Sequence, residues 1–294
     1  MSYEIVSVDI KDDKIDEELG LLIKKAFNSE ETLKRGHLFL NTFAKRSREQ
    51  TLFLAVVENN KIIGCNGFIA NDFEINKKII SCYQSCWSAT HPDHQGKRVF
   101  VNIQEEAQRI LKNRGAAFIY GIPNDNSRPI FLHKLGFSEI PCLMLQIPNI
   151  RYVRNFFIRD LNSNKGREGT VIKADEKQIA DLKKNLNKDI IEIKINKSYA
   201  WGKLEKKEKF GISTSYFYLG GLEVEALEDF PLLMRKVFDL PCKYIQIVTC
   251  QSNLNNELFN YWKSAKGVNP FIFKYLNIDK PDNVNFMYGL MDVF

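Results

Sequence analysis

The stretch THPDHQGKRVF, from Thr90 to Phe100, joins a β-rich run to an amphipathic helix. KIISCYQSCWSAT (78–90) predicts a strand, and VFVNIQEEAQRILKNRG (99–115) predicts a helix that Gly115 ends. AAFIYGIP (116–123) then predicts a short buried strand. A parallel strand pair would therefore flank the loop and its helix. In that geometry the free backbone N–H groups at the helix N-terminus point at an anion.

The remaining patterns of the first half indicate mixed α and β structure. EELGLLIKKAFNSE (17–30) predicts a helix, with acids early and lysines late as the helix dipole favours. TLFLAVVENNKIIGCNGFIANDF (51–73) predicts a hairpin that turns at Glu58-Asn59-Asn60. SRPIFLHKLGF (127–137) predicts a further helix, capped by the residues from Asn124 to Ser127.

The composition of the 294-residue chain indicates a globular protein of one large or two ordinary domains. Apolar residues make up 44 % and charged residues 27 %, which supplies a packed core and excludes extended disorder. The net charge of +6 weakly favours an anionic partner such as a nucleotide or a phosphorylated cofactor. The basic residues are mixed with acids and form no run interleaved with aromatics, so we expect no nucleic-acid partner.

The N-terminus MSYEIVSVDIKDDK has no apolar segment of a secretion signal, and no stretch approaches about eighteen apolar residues. We therefore expect a soluble, cytoplasmic protein with no membrane partner. Six cysteines form no C-x-x-C motif and show no regular spacing. We expect them to be reduced core residues, with no metal site. They are Cys65, Cys82, Cys86, Cys142, Cys242 and Cys250.

A domain boundary is predicted in RDLNSNKGREGT (159–170), which is polar, contains glycine and has no hydrophobic periodicity. It separates a first domain, residues 1–150, from a second domain, residues 165–294. The charged stretch KLEKKEK (203–209) is interpreted as solvated rather than as a binding patch. The second half contains no glycine-rich strand-to-helix turn, so a duplicated domain there would lack the anion site.

The second half otherwise repeats the rhythm of the first. Its predicted elements are a helix in KQIADLKKNL (177–186), a strand region in SYFYLGGLEVEAL (215–227), a buried strand in LPCKYIQIVTC (240–250) and a helix in NLNNELFNYWKSA (253–265).

Residues 86–137 resemble the GNAT superfamily of acyl-CoA-dependent N-acyltransferases. The signature of that superfamily is a strand ending in His-Pro, then Gln/Arg-x-x-Gly-x-Gly/Ala, then a helix. Residues His91–Lys97 match the first part of this signature. A second motif, Asn-x-x-Ala/Ser-x-x-x-Tyr followed by Lys-x-Gly-Phe, is matched by Asn124–Phe131 and Lys134–Phe137 with one extra residue between them. The phrase GIPNDNSRPIFLHKLGF is similar to a subgroup of longer GNAT proteins with a second, degenerate GNAT-like domain.

The resemblance implies an α/β fold with mixed sheets, arranged as tandem GNAT-like domains of which the second is degenerate and forms part of the acceptor cleft. It also implies acyl-coenzyme A as co-substrate, with its pyrophosphate on the loop and its pantetheine arm and thioester along the preceding strand. The residues implied in coenzyme A binding are Trp87, Ser88, Ala89, Thr90, Gln95, Gly96, Lys97, Arg98, Val99, Phe100, Asn124, Asn126, Ser127 and Phe131.

Two residues of the loop depart from the GNAT pattern. Arg98 stands where glycine is usual and Phe100 stands where Gly or Ala is usual, although small residues let phosphates approach the backbone. Because a helical conformation is open to any L-residue, we expect only that close approach to change. Both side chains should lean away from the phosphates, or Arg98 should bind one of them.

The residues for proton transfer are less well specified. The tyrosine that often acts as general acid in this superfamily is replaced by Phe131, or by Leu132 on the other alignment. Tyr120 and His133 are the nearby substitutes, although His133 is also typical of an exposed helix position. At the chain end, Asp292 or the carboxylate of Phe294 is a candidate base, because a terminal carboxylate has this role in one related subgroup. The alternative is that this apolar terminus packs between domains.

The subgroup resemblance implies a nucleotide-linked amino-deoxy sugar, preferably dTDP-linked, as acceptor for surface polysaccharide synthesis. The acyl group would be acetyl or a short hydroxyacyl such as 3-hydroxybutyryl. Candidate acceptor contacts are Arg46, Arg48, Tyr199 and Trp201, each of which also fits an ordinary surface or core position. The alternatives are acylation of a protein, an antibiotic or a polyamine, and a non-catalytic binding protein built on a decayed GNAT pair.

Overall fold

The computed structural model describes residues 3–27, 51–75, 78–150, 171–174, 176–186, 189–226, 228–250, 263–265, 268–281 and 283–285. The chain divides into two compact units that interleave in sequence. The first unit comprises Met1–Phe73, Ile79–Glu139 and Phe271–Lys280, and the second comprises Glu74–Lys78, Ile140–Pro270 and Pro281–Phe294.

The described residues contain fifteen strands and five α-helices. The strands are β1 (Glu4–Ser7), β2 (Leu52–Glu58), β3 (Lys61–Ile75), β4 (Lys78–Thr90), β5 (Phe118–Gly121), β6 (Ser138–Ile140), β7 (Cys142–Pro148), β8 (Val171–Ala174), β9 (Ile190–Ile195), β10 (Ser198–Lys209), β11 (Ile212–Glu223), β12 (Tyr244–Cys250), β13 (Lys263–Ala265), β14 (Phe271–Tyr275) and β15 (Asn283–Asn285). The helices are α1 (Asp13–Phe27), α2 (Val99–Asn113), α3 (Arg128–His133), α4 (Glu176–Leu186) and α5 (Asp229–Phe238).

The sheet of the first unit has the strand order β1-β2-β3-β4-β5-β14-β6. β4 and β5 are parallel, whereas β1–β2, β2–β3 and β5–β14 are antiparallel. Helices α1 and α2 cover opposite faces, because Leu52 and Leu54 belong to the α2 cluster and Phe53 belongs to the α1 cluster. This sheet with helices on both faces is the mixed α/β fold that the sequence predicts.

Helix α2 forms as the hydrophobic pattern predicts. Val99, Ile103, Ala107 and Leu111 are buried against the sheet. Gly115 follows the helix with φ of +79°, a left-handed conformation that glycine adopts without the steric cost of a Cβ. The helix therefore presents a fixed N-terminus directly after the loop that joins it to β4.

The second unit contains a six-stranded sheet in the order β13-β7-β12-β11-β10-β9. β11 and β12 are parallel and α5 lies between them in sequence. Helix α5 buries Phe230, Leu233, Met234 and Val237 in the core on one face of this sheet. The residues of the parallel pair β8 and β15 also belong to this unit, and β8 pairs in addition with β3. The two mixed sheets fit tandem GNAT-like domains, as predicted.

Most predicted elements of the first half are confirmed. The hairpin turns at Asn59 and Asn60, whose φ values of 50° and 60° are left-handed and which asparagine tolerates better than most residues. The strand 78–90 and the helix 99–115 also agree with β4 and α2. In the second half, Lys263–Ala265 is a strand instead of the end of a helix, because it pairs with β7. The rest of that predicted helix lies outside the described residues.

The division into units differs from the predicted boundary. The second segment of the first unit ends at Glu139. The later segment Phe271–Lys280 also belongs to this unit, because β14 pairs with β5. The predicted linker 159–170 lies outside the described residues. KLEKKEK (203–209) is part of strand β10, where its charged residues alternate across the two sides of the strand.

Cys65, Cys82, Cys86, Cys142 and Cys242 are free thiols and buried, as predicted. No helix among the described residues is long and apolar enough to cross a membrane. Within the same residues, no group of three or more His, Cys, Asp or Glu side chains could hold a metal ion.

Candidate functional site

The N-terminus of α2 is open. Its first helical hydrogen bond runs from the Asn102 N–H to the Arg98 carbonyl at 2.9 Å, so the N–H groups of Val99, Phe100 and Val101 have no acceptor within the helix. Arg98 makes no side-chain cap, and the first turn contains no acidic residue. These donors and the positive end of the helix dipole are therefore available to an anion.

The loop before α2 is a tight, exposed turn. It starts with a short 3-10 helix at Pro92–His94, in which the His91 Nδ1 accepts a hydrogen bond from the Asp93 N–H at 3.3 Å. Gly96 follows with φ of +76°, and a Cβ built on it would meet no atom within 4 Å. A group the size of a phosphate can thus approach the backbone at Gly96 without a side chain in the way.

Both departures from the GNAT pattern leave this space open. The Arg98 guanidinium lies 3.6 Å from the Glu105 carboxylate, two turns farther along α2. The Phe100 ring packs edge-to-face on Phe131, with ring centroids 5.4 Å apart and an interplanar angle of 87°. Phe131 in turn packs on Phe137 at 4.8 Å. The large side chain at position 100 is therefore accommodated by packing on the ring at position 131.

The backbone at Arg98 corrects one expectation. Arg98 takes the left-handed conformation, with φ of 62° and ψ of 9°, instead of a right-handed helical one. This conformation costs a residue with a Cβ about 1–2 kcal/mol, a cost that glycine avoids. The usual glycine at this place is thus explained by backbone geometry as well as by close approach. Arg98 adopts the same left-handed conformation that glycine would adopt there, at this energetic cost.

Strand β4 continues past its pairing with β5. The ladder pairs Tyr83 with Ile119 and Gln84 with Tyr120, and β4 then runs on to Thr90. The other edge of β4 stays close to β3, since the His91 N–H donates to the Ile63 carbonyl at 2.8 Å. The β5 edge of the last residues of β4 is therefore outside the ladder, and its backbone groups can bind a ligand.

Asn124 closes the turn between β5 and α3, whereas Ser127, the N-cap residue of α3, makes no side-chain cap hydrogen bond. The Asn124 Oδ1 accepts hydrogen bonds from the N–H groups of Asn126 at 3.1 Å and Ser127 at 2.9 Å. The Asn124 carbonyl also accepts the Arg128 N–H at 2.9 Å. Asn124 and Asn126 are exposed, so they lie at the surface of the turn that leads into α3. Their role in coenzyme A binding stays a prediction.

Residues 9–140 match the family described as Acetyltransferase (GNAT) domain. This part of the chain is a GNAT acetyltransferase domain. The protein is accordingly an acyltransferase, and domains of this family use acetyl-CoA as acyl donor. No curated protein sequence matches the chain.

Solved structures share the fold of nearly the whole chain, beyond the matched domain. A GCN5-related N-acetyltransferase from Kribbella flavida superimposes with a TM-score of 0.62 and 11 % identity, covering 94 % of this chain and 72 % of that one. Eis1 from Mycobacterium abscessus gives 0.62 and 9 %, covering 94 % and 74 %. A probable N-acyltransferase from Enterococcus faecalis V583 gives 0.59 and 10 %, covering 94 % and 73 %.

The predicted proton-transfer residues of the GNAT domain lie in different environments. Tyr120 is completely buried, and its hydroxyl accepts a hydrogen bond from the Asn71 Nδ2 at 2.8 Å. Its ring packs among Phe73, Phe118 and Phe273, so no part of it is exposed to an incoming amine. His133 is exposed at the end of α3. Asp292 and Phe294 lie outside the described residues.

The predicted acceptor contacts belong to the second unit or are not described. Tyr199 is 4 % exposed and Trp201 is fully buried. Neither ring offers an open face on which a sugar or base could stack, and the Lys194 ammonium lies 5.4 Å from the Tyr199 ring centroid. Arg46 and Arg48 lie outside the described residues.

The buried thiols of the GNAT domain are not poised as nucleophiles. Burial raises the pKa of the Cys65 thiol to about 12 and raises that of Cys82 well above its usual value. Both are therefore protonated at neutral pH, and the thiolate is the reactive form of cysteine. This agrees with acyl transfer directly to the acceptor.

A buried polar network of the GNAT domain was not predicted. The Gln104 Nε2 donates to the Asn66 Oδ1 and to the Ser85 Oγ, both at 3.1 Å. The Asn66 Nδ2 donates to the Ser85 Oγ at 3.2 Å, and the Ser88 hydroxyl donates to the Asn66 Oδ1. The helical spacing could have indicated that Gln104 is buried. It lies one residue after Ile103 and seven before Leu111, within the buried stripe of α2.

Proposed function

We propose that the protein transfers an acyl group from acyl-CoA to the amine of a nucleotide-linked amino-deoxy sugar. The observation that carries the donor half is the open N-terminus of α2, which follows the part of β4 that lies beyond its ladder with β5. The acceptor half rests on the resemblance of GIPNDNSRPIFLHKLGF to the amino-sugar subgroup. The product would enter surface polysaccharide synthesis in the cytoplasm.

The pyrophosphate of coenzyme A would bind the loop and the first turn of α2. The N–H groups of Val99, Phe100 and Val101 supply donors, and Gly96 leaves room for the phosphates. Lys97 is exposed beside them and adds positive charge. No metal is required for this neutralisation, because the helix terminus and the backbone donors provide it.

The pantetheine arm and the thioester would follow β4 from Thr90 towards Cys86, along the edge that lies beyond the ladder with β5. The amine nitrogen attacks the thioester carbonyl carbon, and backbone N–H groups of this edge stabilise the oxyanion that develops. The C–S bond then breaks and coenzyme A leaves as the thiolate. The amine proton passes to solvent or to a nearby base.

A sugar amine suits the chemistry of this site. Phe131 carries no hydroxyl, and the Tyr120 hydroxyl is buried against Asn71. An amine with a pKa lower than that of a lysine side chain is partly neutral at physiological pH, so it needs less help from a general base. The net charge of +6 also favours an acceptor that carries a diphosphate.

A panel of acceptors tests this proposal. Purified protein is incubated with acetyl-CoA or 3-hydroxybutyryl-CoA, and free thiol is measured with dTDP-linked 3-amino- and 4-amino-6-deoxyhexoses, UDP-linked amino sugars, spermidine, an aminoglycoside and a lysine peptide. We expect thiol release above the acceptor-free rate with a nucleotide amino sugar. The matched sugar with a hydroxyl in place of the amine should give none. Thiol release that rises above the acceptor-free rate only with the other amines would overturn the proposal. No rise above that rate with any acceptor would overturn it as well.

A further inference from the structure

Strand β4 contains a kink where it leaves β5. Trp87 has φ of 53°, although its neighbours belong to an extended strand. A left-handed conformation is rare for a bulky residue and costs about 1–3 kcal/mol, so it persists only where the surroundings hold it. The kink begins three residues after Gln84, the last residue of β4 that pairs with β5. It therefore lies just beyond the ladder with β5.

The polar network joins the two sides of this kink. Ser85 lies before Trp87 and Ser88 lies after it. The Ser85 Oγ accepts from both the Gln104 Nε2 and the Asn66 Nδ2, while the Ser88 hydroxyl donates to the Asn66 Oδ1. The Gln104 Nε2 also donates to the Asn66 Oδ1, which fixes the two amides relative to one another. Helix α2 and strand β3 thus clamp β4 on either side of Trp87.

Stability alone does not account for this clamp. Asn66 and Gln104 are both completely buried, next to the apolar cluster of α2. The Gln104 Oε1 is buried and has no hydrogen-bond partner among the described residues. A buried polar network with an unsatisfied atom is less favourable than an apolar side chain of the same volume. Its distinctive effect is to hold one backbone conformation.

We propose that Gln104 and Asn66 are positioning residues for acyl transfer. They hold the kink at Trp87 and thereby aim the backbone N–H groups that follow Ser85 at the thioester carbonyl. The inference rests on the acyl-donor half of the proposed function and is independent of the acceptor. It assigns a function to a glutamine at a helix position where an aliphatic residue would pack.

The carbonyl stretch of bound acetyl-CoA tests this inference without an acceptor. Infrared difference spectra are recorded with [1-13C]acetyl-CoA bound to wild type and to Gln104→Leu, and coenzyme A affinity and binding stoichiometry are measured by calorimetry. We expect wild type to shift the carbonyl band to lower frequency than in water, because donors polarise it. Gln104→Leu should lose this shift while binding coenzyme A within about threefold of wild type, since the phosphate donors remain.

Three further variants serve as controls. Gln108→Leu makes the same change one turn later on α2, outside the network, and should keep the shift. Ser88→Ala should lose it and Ser88→Thr, which retains the hydroxyl, should restore it. With any acceptor that is turned over, Gln104→Leu should lower kcat about tenfold to a hundredfold, the range seen when reacting groups are misplaced by about 1 Å.

The outcomes separate the two proposals. If wild type binds no coenzyme A, the acyl-donor site itself fails. If wild type shows the shift and both Gln104→Leu and Ser88→Ala retain it, the positioning role is overturned and the donor site stands. Should Gln104→Leu fail to fold, the Ser88→Ala and Ser88→Thr pair decides by itself. A wild-type carbonyl band at the frequency in water also overturns the positioning role.

Discussion

The two units contain the same local topology, a strand, a helix and a parallel strand. In the first unit these are β4, α2 and β5, and in the second they are β11, α5 and β12. The second pair stays together over four residue pairs, from Tyr216 opposite Tyr244 to Leu219 opposite Ile247. The first pair joins over two, after which β4 runs on for six residues to Thr90, whereas β11 runs on for four to Glu223. The ladder between the parallel strands is thus shorter in the first unit.

The helix N-termini of the two units also differ. Helix α5 begins with Asp229, which is 3 % exposed and accepts hydrogen bonds from the Asn196 Nδ2 at 2.6 Å and the Ser198 Oγ at 2.8 Å. Its acidic group already complements the helix dipole. Helix α2 has no acid in its first turn and no side-chain cap at Arg98. The same topology therefore places a buried acid at the helix N-terminus in one unit and leaves the helix N-terminus without an acid in the other.

The largest expected effect comes from giving α2 the charge pattern of α5. Arg98→Asp replaces a cation by an anion at the helix N-terminus, where the diphosphate of coenzyme A would bind. We expect about a 100-fold loss of coenzyme A affinity, measured by calorimetry, because both the dipole and the charge-assisted contacts turn unfavourable.

Arg98→Gly is the matched control. It removes the side chain and relieves the left-handed strain, so coenzyme A affinity should stay within about threefold and the unfolding free energy should rise by about 0.5 kcal/mol. Equal losses of affinity in Arg98→Gly and Arg98→Asp would mean that the Arg98 guanidinium itself binds the phosphates.

The reverse change in the second unit should affect stability alone. Asp229→Ala leaves Asn196 and Ser198 without their acceptor, so the unfolding free energy should fall by about 2 kcal/mol. Asp229→Asn keeps an acceptor oxygen and should lose less. Denaturant unfolding and coenzyme A calorimetry check this pair. A marked change in coenzyme A affinity would contradict the separation of functions between the two helix N-termini.

The ring contact between Phe100 and Phe131 predicts a smaller effect. A double-mutant cycle with Phe100→Leu, Phe131→Leu and the double variant should give a coupling of about 1 kcal/mol in the unfolding free energy, typical of an edge-to-face aromatic pair. Strictly additive losses would show that the two departures from the GNAT pattern are independent.

The smallest effect concerns the hairpin turns of the two units. The β2–β3 turn has Asn59 with φ of 50°, whereas the β10–β11 turn has Phe210 with φ of 54° and a side chain 89 % exposed. Phe210→Asn should raise the unfolding free energy by about 0.5 kcal/mol, because asparagine tolerates this conformation better and little packing is lost. Asn59→Phe should lower it by a similar amount. Thermal unfolding measures both variants; no gain in Phe210→Asn together with no loss in Asn59→Phe would refute the argument.

The order of elements around the loop could be predicted from the sequence, because spacing of apolar residues encodes strands and helices locally. The open helix N-terminus follows from the same pattern, since Val99 begins a helix directly after an exposed turn. The turn at Asn124 also follows from the sequence, because asparagine favours side-chain hydrogen bonds to the backbone two and three residues on. These features depend on neighbours in the chain.

Other features depend on residues far apart in sequence. Strand β14 joins the first sheet beside β5 although about 150 residues separate them, and no local pattern selects that partner. The left-handed backbone at Arg98 was mispredicted for a related reason, since the conformation is set by where β4 ends and α2 must begin. The burial of Trp201 likewise follows from packing rather than from residue type.

The sequence by itself determined that a strand, an exposed turn and a helix stand in a row, and that small residues and a free helix terminus can hold an anion there. Only the tertiary structure decided that β4 leaves β5 after Gln84, that Trp87 kinks, and that Asn66 from β3 and Gln104 from α2 meet across the kink. The physical reason is that periodicity fixes which face of an element is buried, whereas contacts between elements fix what that face touches.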